Sequence, residues 1–505
     1  MQRRGREPFD CAPGQVRVTQ ESRCYNPPVS EPLVTQQPLR TPVLRRSFQK
    51  PYPAAVRGEG VYLWDADGNR YLDFSGSAAV NFIGHGVREI SDAMAEQARQ
   101  LEFVHSSQFT TPVAEEFAQE LLDFSGEGFS GGAVYFTCGG SESVETALKL
   151  ARQYQVEIGE KNRHQILSRQ QSYHGATLGA LAVSGNRKRR EIYLPMVREF
   201  EHIGMPYCYR CAFDCTDSCY NCGQQYAVEL ERAIEAAKGT TSQSDSNVAG
   251  FIFEPMSGAT LGAVTPPPGY LQAVADICRR HGVLLIADEV MTGMGRTGRN
   301  FAVEHFATER AGITPDILVT AKGLSSGYAP LGAVIASKKV VDAIAAGSGA
   351  FLHGFTYNAH PVSVAAGRAV LRRIRTLNLV HAADSEAAGS GTESTAGSAV
   401  KIALESLRDL DAVGDVRGLG LLCGVEFVAD KKTKVPFPPE KNFAGSVGQA
   451  CLRRGVLVYP MQGCMDGVAG DHLLIAPPAV ITSEQVGWAV EQLRAAVVES
   501  TAQAR

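Results

Sequence analysis

Lys322 stands directly after an apolar run, residues 317–321, and is followed by small residues that include Gly323, Ser326 and Gly327. An ammonium at the end of a buried strand loses hydration, so its pKa falls, and the neutral amine that results can attack an aldehyde. Asp288 closes a second apolar run, residues 283–287. A carboxylate placed there must meet a cation or donors to offset its desolvation, and a protonated ring nitrogen is one such partner. A third run leads into Thr137-Cys138-Gly139-Gly140-Ser141-Glu142, after which Val144, Ala147, Leu148 and Ala151 recur on one helical face. Glycines admit close backbone approach and a helix start offers unpaired N–H groups, so this turn can cradle a phosphate, with Ser141 adding a hydroxyl. In Ser172-Tyr173-His174-Gly175, after the run 164–168, the tyrosine ring can cover a flat heteroaromatic. Each feature also has an ordinary reading: a surface lysine, a loop acid, a plain turn, a packed tyrosine. Their joint occurrence at successive strand ends points to one cofactor.

The elements that must hold these residues are short apolar runs separated by longer helical patterns. Residues 133–136, 248–253, 283–287, 317–320 and 333–336 read as buried strands, and 269–281 as a helix ended by Gly282. Such alternation predicts an α/β fold with a mostly parallel sheet, whose ligands bind at the carboxyl ends of the strands. The 505 residues are 44% apolar and 20% charged, with 49 Lys plus Arg against 53 Asp plus Glu. The net charge of −4 argues against a nucleic-acid partner, and no apolar run is long enough for a membrane span. The expectation is a soluble, cytoplasmic protein. The Arg-, Pro- and Gln-rich segment 1–45 reads as a poorly ordered arm, whose positive charge leaves a mitochondrial address open. Residues 384–399, dominated by Gly, Ser, Ala, Thr and Glu, read as a surface loop or low-complexity insert.

Two longer motifs, Leu63-Trp64-Asp65-Ala66-Asp67-Gly68-Asn69-Arg70-Tyr71-Leu72-Asp73-Phe74 and the stretch 288–298, together with the Lys322 segment, resemble the class III aminotransferases. These are fold type I enzymes dependent on pyridoxal 5′-phosphate. The resemblance runs from about residue 57 to the end. It implies a large cofactor-binding domain over 106–360 and a smaller α+β domain from 46–105 and 361–505. It implies that Lys322 carries the cofactor as an internal aldimine and moves a proton, and that Asp288 keeps the pyridine nitrogen protonated. Tyr173 and Val290 would enclose the ring, Gly140 and Ser141 the phosphate, with His174 and Glu254 alongside. Thr356 would come from a neighbouring subunit, making a homodimer part of the site. Arg417 would clamp a substrate carboxylate with a bidentate fork. The implied activity moves an amino group from an amine or amino acid to an oxo acid, such as 2-oxoglutarate or pyruvate, in a ping-pong cycle.

The chain departs from ornithine- and 4-aminobutyrate-type members in two places. Met291 stands where they carry a Gln, and Ser257-Gly258-Ala259 replaces a Gln-Gly-Glu whose acid gates the arginine. Neither specificity is expected. A decarboxylating, epimerising or aminomutase relative keeps the same cofactor and remains an alternative, as does a non-catalytic cofactor-binding protein. Five of the 12 cysteines lie in Cys208-x-x-Cys211-x-x-x-Cys215-x-x-x-Cys219-x-x-Cys222. That spacing suits zinc, loop disulfides or plain thiols. No metal is assigned.

Overall fold

The computed structural model describes residues 41–48, 50–213, 219–237, 246–306, 313–386 and 395–504. The expected arm falls almost wholly outside these residues. Its described end belongs to a separate N-terminal unit that closes at Pro53. No helix or strand occurs among the described residues of that unit, and Arg45 stacks over the Tyr52 ring at 5.7 Å.

In the second unit, Ala54–Arg505, seven strands make the central sheet. They are β1 (Ala133–Thr137), β2 (Gln165–Arg169), β3 (His202–Ile203), β4 (Val248–Phe253), β5 (Leu284–Asp288), β6 (Ile317–Thr320) and β7 (Gly332–Ala336). Their order across the sheet is β1-β7-β6-β5-β4-β2-β3. Neighbours from β6 to β3 run parallel, whereas β7 is antiparallel to both β1 and β6. The direction of β7 could not be read from its apolar sequence, because a strand covered on both faces looks the same either way.

Every residue of β4, β5, β6 and β7 is buried, and alternate side chains feed two apolar layers. Ile252, Ile286 and Val319 pack with Val144, Ala147 and Ala151 of helix α1 (Gly140–Glu157). Phe251, Leu285 and Leu318 face the other way, into the layer holding Val274 and Ile277 of helix α2 (Tyr270–His281). Gly282 ends α2 with φ +64°, a left-handed conformation that favours glycine. Two four-stranded sheets complete the unit. One is built from Ala55–Glu59, Tyr62–Asp65, Arg70–Asp73 and Val456–Leu457, the other from Val413–Leu419, Leu422–Phe427, Asp471–Ile475 and Tyr459–Gln462. Among the described residues, no helix is long and apolar enough to cross a membrane.

The segment read as a surface insert is more structured at its ends than its composition suggested. Residues 387–394 lie outside the described residues, but a helix, Ala396–Glu405, begins within the expected loop. Thr395 caps it by accepting Ser398 N–H, and an added Cβ on Gly397 would sit 2.0 Å from the Ala383 carbonyl oxygen. Small residues here permit close packing; they do not mark its absence.

Buried Arg296 ties the loop after β5 to the rest of the unit. Its guanidinium donates to the carbonyls of Ala476 (3.0 Å), Pro477 (2.5 Å) and Asn81 (2.7 Å). Replacing Arg296 with Met leaves these carbonyls without their donor at a buried position. Arg296→Met is expected to destabilise the fold by on the order of 3 kcal/mol, measured as a lower urea midpoint at constant m-value.

Candidate active site

The carboxyl ends of β1, β4, β5 and β6 converge on a cavity of about 460 Å³. Gly140, Ser141, Tyr173, His174, Glu254, Asp288, Val290 and Lys322 all line it, so eight of the ten residues singled out from sequence meet in one place. Thr356 and Arg417 are the exceptions.

The helix start at Gly140 is held by local chemistry. Glu142 accepts a hydrogen bond from Cys138 N–H at 2.9 Å, and the Thr137 and Ser143 hydroxyls pair at 2.7 Å. An added Cβ on Gly140 would lie 2.9 Å from Val290 Cγ1, so only glycine brings the helix start this close to Val290. An 18-residue helix thus points its unpaired N–H groups at the cavity, where they and its dipole favour an anion. The Ser141 hydroxyl accepts Ala176 N–H at 3.0 Å and keeps its own proton available.

Asp288 ends β5 and is buried. One carboxylate oxygen accepts a hydrogen bond from His174 Nδ1 at 2.7 Å, the other from Val290 N–H at 3.1 Å. Because the carboxylate accepts, Nδ1 carries the imidazole proton; the opposite nitrogen, Nε2, is buried and meets no partner among the described residues. Glu254 follows β4 and accepts Gly258 N–H at 2.9 Å and Tyr173 N–H at 3.4 Å. Burial pushes its pKa up, against the pull of His174 and Arg169. A cation arriving among these acids is the natural counter-charge.

Lys322 follows β6 in a left-handed backbone conformation, φ +46°. For a residue with a side chain this costs about 1 kcal/mol and needs a surrounding structure that enforces it. Desolvation brings its amine down from 10.5 to about 8, although Asp288 and Glu254 pull the other way. A glycine-lined anion cradle, a buried carboxylate, a ring-sized slot beside Tyr173 and Val290, and a softened amine fit a phosphorylated pyridine aldehyde.

Thr356 is exposed and lies outside the cavity, close to exposed Tyr357 and Leu352. Arg417 is only partly exposed, its side chain 11%, and each of its guanidinium nitrogens is engaged. It donates to Asp415 (3.0 Å), to Glu426 (2.8 Å) and to the carbonyls of Gly262 (2.8 Å) and Leu261 (2.6 Å). Glu426 also accepts Arg210 at 2.6 Å and the Tyr207 hydroxyl. Although desolvation opposes it, Arg417 and Arg210 keep the Glu426 pKa low. The sequence reading missed this cluster. Its signal was Glu426 itself, a charge in the apolar strand Leu422–Phe427 that had to find cations. Val80 and Met256, which also wall the cavity, carried no signal of their own, whereas Ala259 and Met291 beside them stand at the two departures noted in the sequence. Met291 cannot donate a hydrogen bond, as expected of its type. Among the cysteines, Cys211 and Cys222 place their sulfurs 3.6 Å apart, while Cys215 lies outside the described residues.

The family model for class-III aminotransferases matches residues 45–497. The chain is 39% identical over 447 residues to YodT of Bacillus subtilis, described as an uncharacterised aminotransferase, covering 88% of this chain and 94% of that one. It is 32% identical over 433 residues to a putrescine–pyruvate aminotransferase of Pseudomonas aeruginosa, covering 85% and 87%. A crystal structure of the omega transaminase from Pseudomonas jessenii in complex with PMP superposes with a TM-score of 0.79 at 29% identity, covering 90% and 93%. This chain belongs to the class III aminotransferases, the fold type I transaminases that depend on pyridoxal 5′-phosphate.

Proposed function

We propose that the enzyme transfers an amino group from an amine or amino acid to an oxo acid such as 2-oxoglutarate or pyruvate, with Lys322 as its nucleophile and base. The observation that carries this is the pairing of a softened amine and a buried carboxylate at the ends of adjacent strands, β6 and β5, on one cavity. In this reading pyridoxal phosphate supplies an aldehyde for the amine and an electron sink for the carbanion beside it. The backbone at Gly140 and the Ser141 hydroxyl would hold its phosphate, and Tyr173 and Val290 would enclose its ring. Asp288 would serve the ring nitrogen as the acid that keeps it protonated, and the His174 bond fixes the carboxylate for that role. Glu254 adds negative charge on the same side. Lys322 Nζ takes the proton from the amine-bearing carbon of the donor, which requires the neutral amine.

A homodimer belongs to the same proposal. The exposed Thr356 hydroxyl of one copy would complete the phosphate cup of the other, and the apolar Leu352 and Tyr357 beside it suit a covered surface. Arg417 can take a carboxylate only by exchange, releasing Asp415 or Glu426 as the substrate's own carboxylate arrives.

A screen of amine donors against pyruvate and 2-oxoglutarate, read by the loss of aldehyde absorbance and its return, tests the activity directly. Failure of every donor to change the spectrum, alongside racemisation or carbon dioxide release, would sink it. Lys322→Ala is expected to lower turnover by at least about a thousandfold, and Asp288→Asn by about a hundredfold or more, while both keep the fold by circular dichroism. The pH dependence has a definite sign. With an amine near 8, capture of pyridoxal phosphate by the apoenzyme should quicken about tenfold per pH unit below that value and level off above it. A stopped-flow profile still climbing at about pH 10 would show that the amine is not desolvated.

A further inference from the structure

Arg189 lies one layer beyond the residues discussed so far. It sits in the short segment Arg187–Arg190, which continues the polypeptide from the Tyr173 turn past the helix Leu178–Val183. Its guanidinium carbon is 4.3 Å from the centre of the Tyr173 ring, and Tyr173 is a wall of the cavity. The backbone under it is fixed from inside the fold. Buried Asn186 accepts Arg189 N–H at 3.2 Å and donates its own amide to Gln171 at 2.8 Å. Arg189 is half-buried, and its charge is close enough to Lys322 to help hold that amine down.

Its hydrogen-bonding state is the opposite of that of Arg417. Among the described residues, the Arg189 guanidinium makes no ion pair and no hydrogen bond, and its carbon lies over the Tyr173 ring. Stacking of that kind leaves the N–H groups, which lie in the guanidinium plane, free to fork a carboxylate. The neighbouring side chains add positive charge: Arg187, Lys188 and Arg190 flank it, and Lys188 is directed to Gln462 at 3.2 Å. Arg417, by contrast, has carboxylates or carbonyls on Nε, Nη1 and Nη2. To serve a substrate it must first break a buried ion pair, whereas Arg189 breaks nothing.

We propose that Arg189, stacked on Tyr173, is the residue that receives the carboxylate of the oxo-acid or amino-acid substrate, and so sets the preference for carboxylate-bearing substrates over plain amines and aldehydes. The proposal rests on the transaminase reading of the same cavity. Arg189 forms and breaks no covalent bond; it holds one oxygen pair of the substrate beside the ring while Lys322 moves the proton.

The test uses holoenzyme converted to its amine-loaded form and then mixed with one of two acceptors: pyruvate, which carries a carboxylate, or benzaldehyde, which does not. Return of the aldehyde absorbance is followed for the wild type, Arg189→Met and Arg189→Lys. Arg189→Met is expected to raise the half-saturating pyruvate concentration roughly ten- to hundredfold and leave that for benzaldehyde within about twofold. Arg189→Lys keeps the charge without the fork, so it should fall between the two, and it carries the test should the Met variant not fold. Equal losses for both acceptors would reduce Arg189 to a support for the tyrosine and overturn the proposal. No change for either would overturn it as well. A wild type that never responds to any donor would instead reject the transaminase reading, a result distinguishable from both.

Discussion

The site depends on charge kept in a space with little water. Asp288, Glu254 and Lys322 line one small cavity, and each loses hydration that its neighbours only partly restore. The carboxylate of Asp288 is held by a histidine and a backbone N–H; the amine of Lys322 has the charges of Asp288 and Glu254 in its favour, and desolvation outweighs them. That imbalance gives the two groups different fates. The acid keeps fixed partners and faces the cavity, whereas the amine sits near the point where it can lose its proton. The sheet enforces the proximity, because Asp288 and Val319 are register partners on β5 and β6 and Lys322 follows three residues later.

The next acid along the chain shows how the same physics serves the scaffold. Glu289 follows Asp288 but turns away from the cavity, accepting N–H groups of Ala302 and Val303 at 2.9 and 2.8 Å and the Thr292 hydroxyl. Desolvation raises its pKa to about 7 in spite of these donors. Arg296 then closes the loop on three carbonyls. An acid that lines the cavity and two buried ionisable groups of the scaffold thus occur within nine residues of chain, and only their partners tell them apart.

That is also the measure of what the sequence could disclose. The strands at 133–137, 248–253 and 317–320 were legible because uninterrupted apolar runs have few other uses, and the residues at their ends were legible because charge beside such runs must have a partner. The antiparallel course of β7 was not, since burial on both faces erases the alternation that would reveal it. The helix beginning at Ala396 was misread because Gly, Ser and Ala look like loop until something packs against them. The commitment of Arg417 depended on Glu426, Asp415 and Arg210, three residues whose meeting is decided by tertiary structure alone. Arg189 lay within a run of four basic residues, a pattern that more often marks a solvated surface than a place against a cavity-wall tyrosine.

The cavity has walls of two kinds. Its floor, from Gly140 through Val290, tolerates no added atom: a methyl group at Gly140 would collide with Val290. Val80, Met256, Ala259, Met291 and Leu331 line the cavity with apolar side chains, and Met256, Ala259 and Met291 pack in one cluster. Such a division separates chemistry from fit. Changes of size along the apolar side can enlarge or narrow the repertoire of accepted amines without disturbing proton transfer, so diversification for new substrates has a place to begin that the reaction itself does not veto.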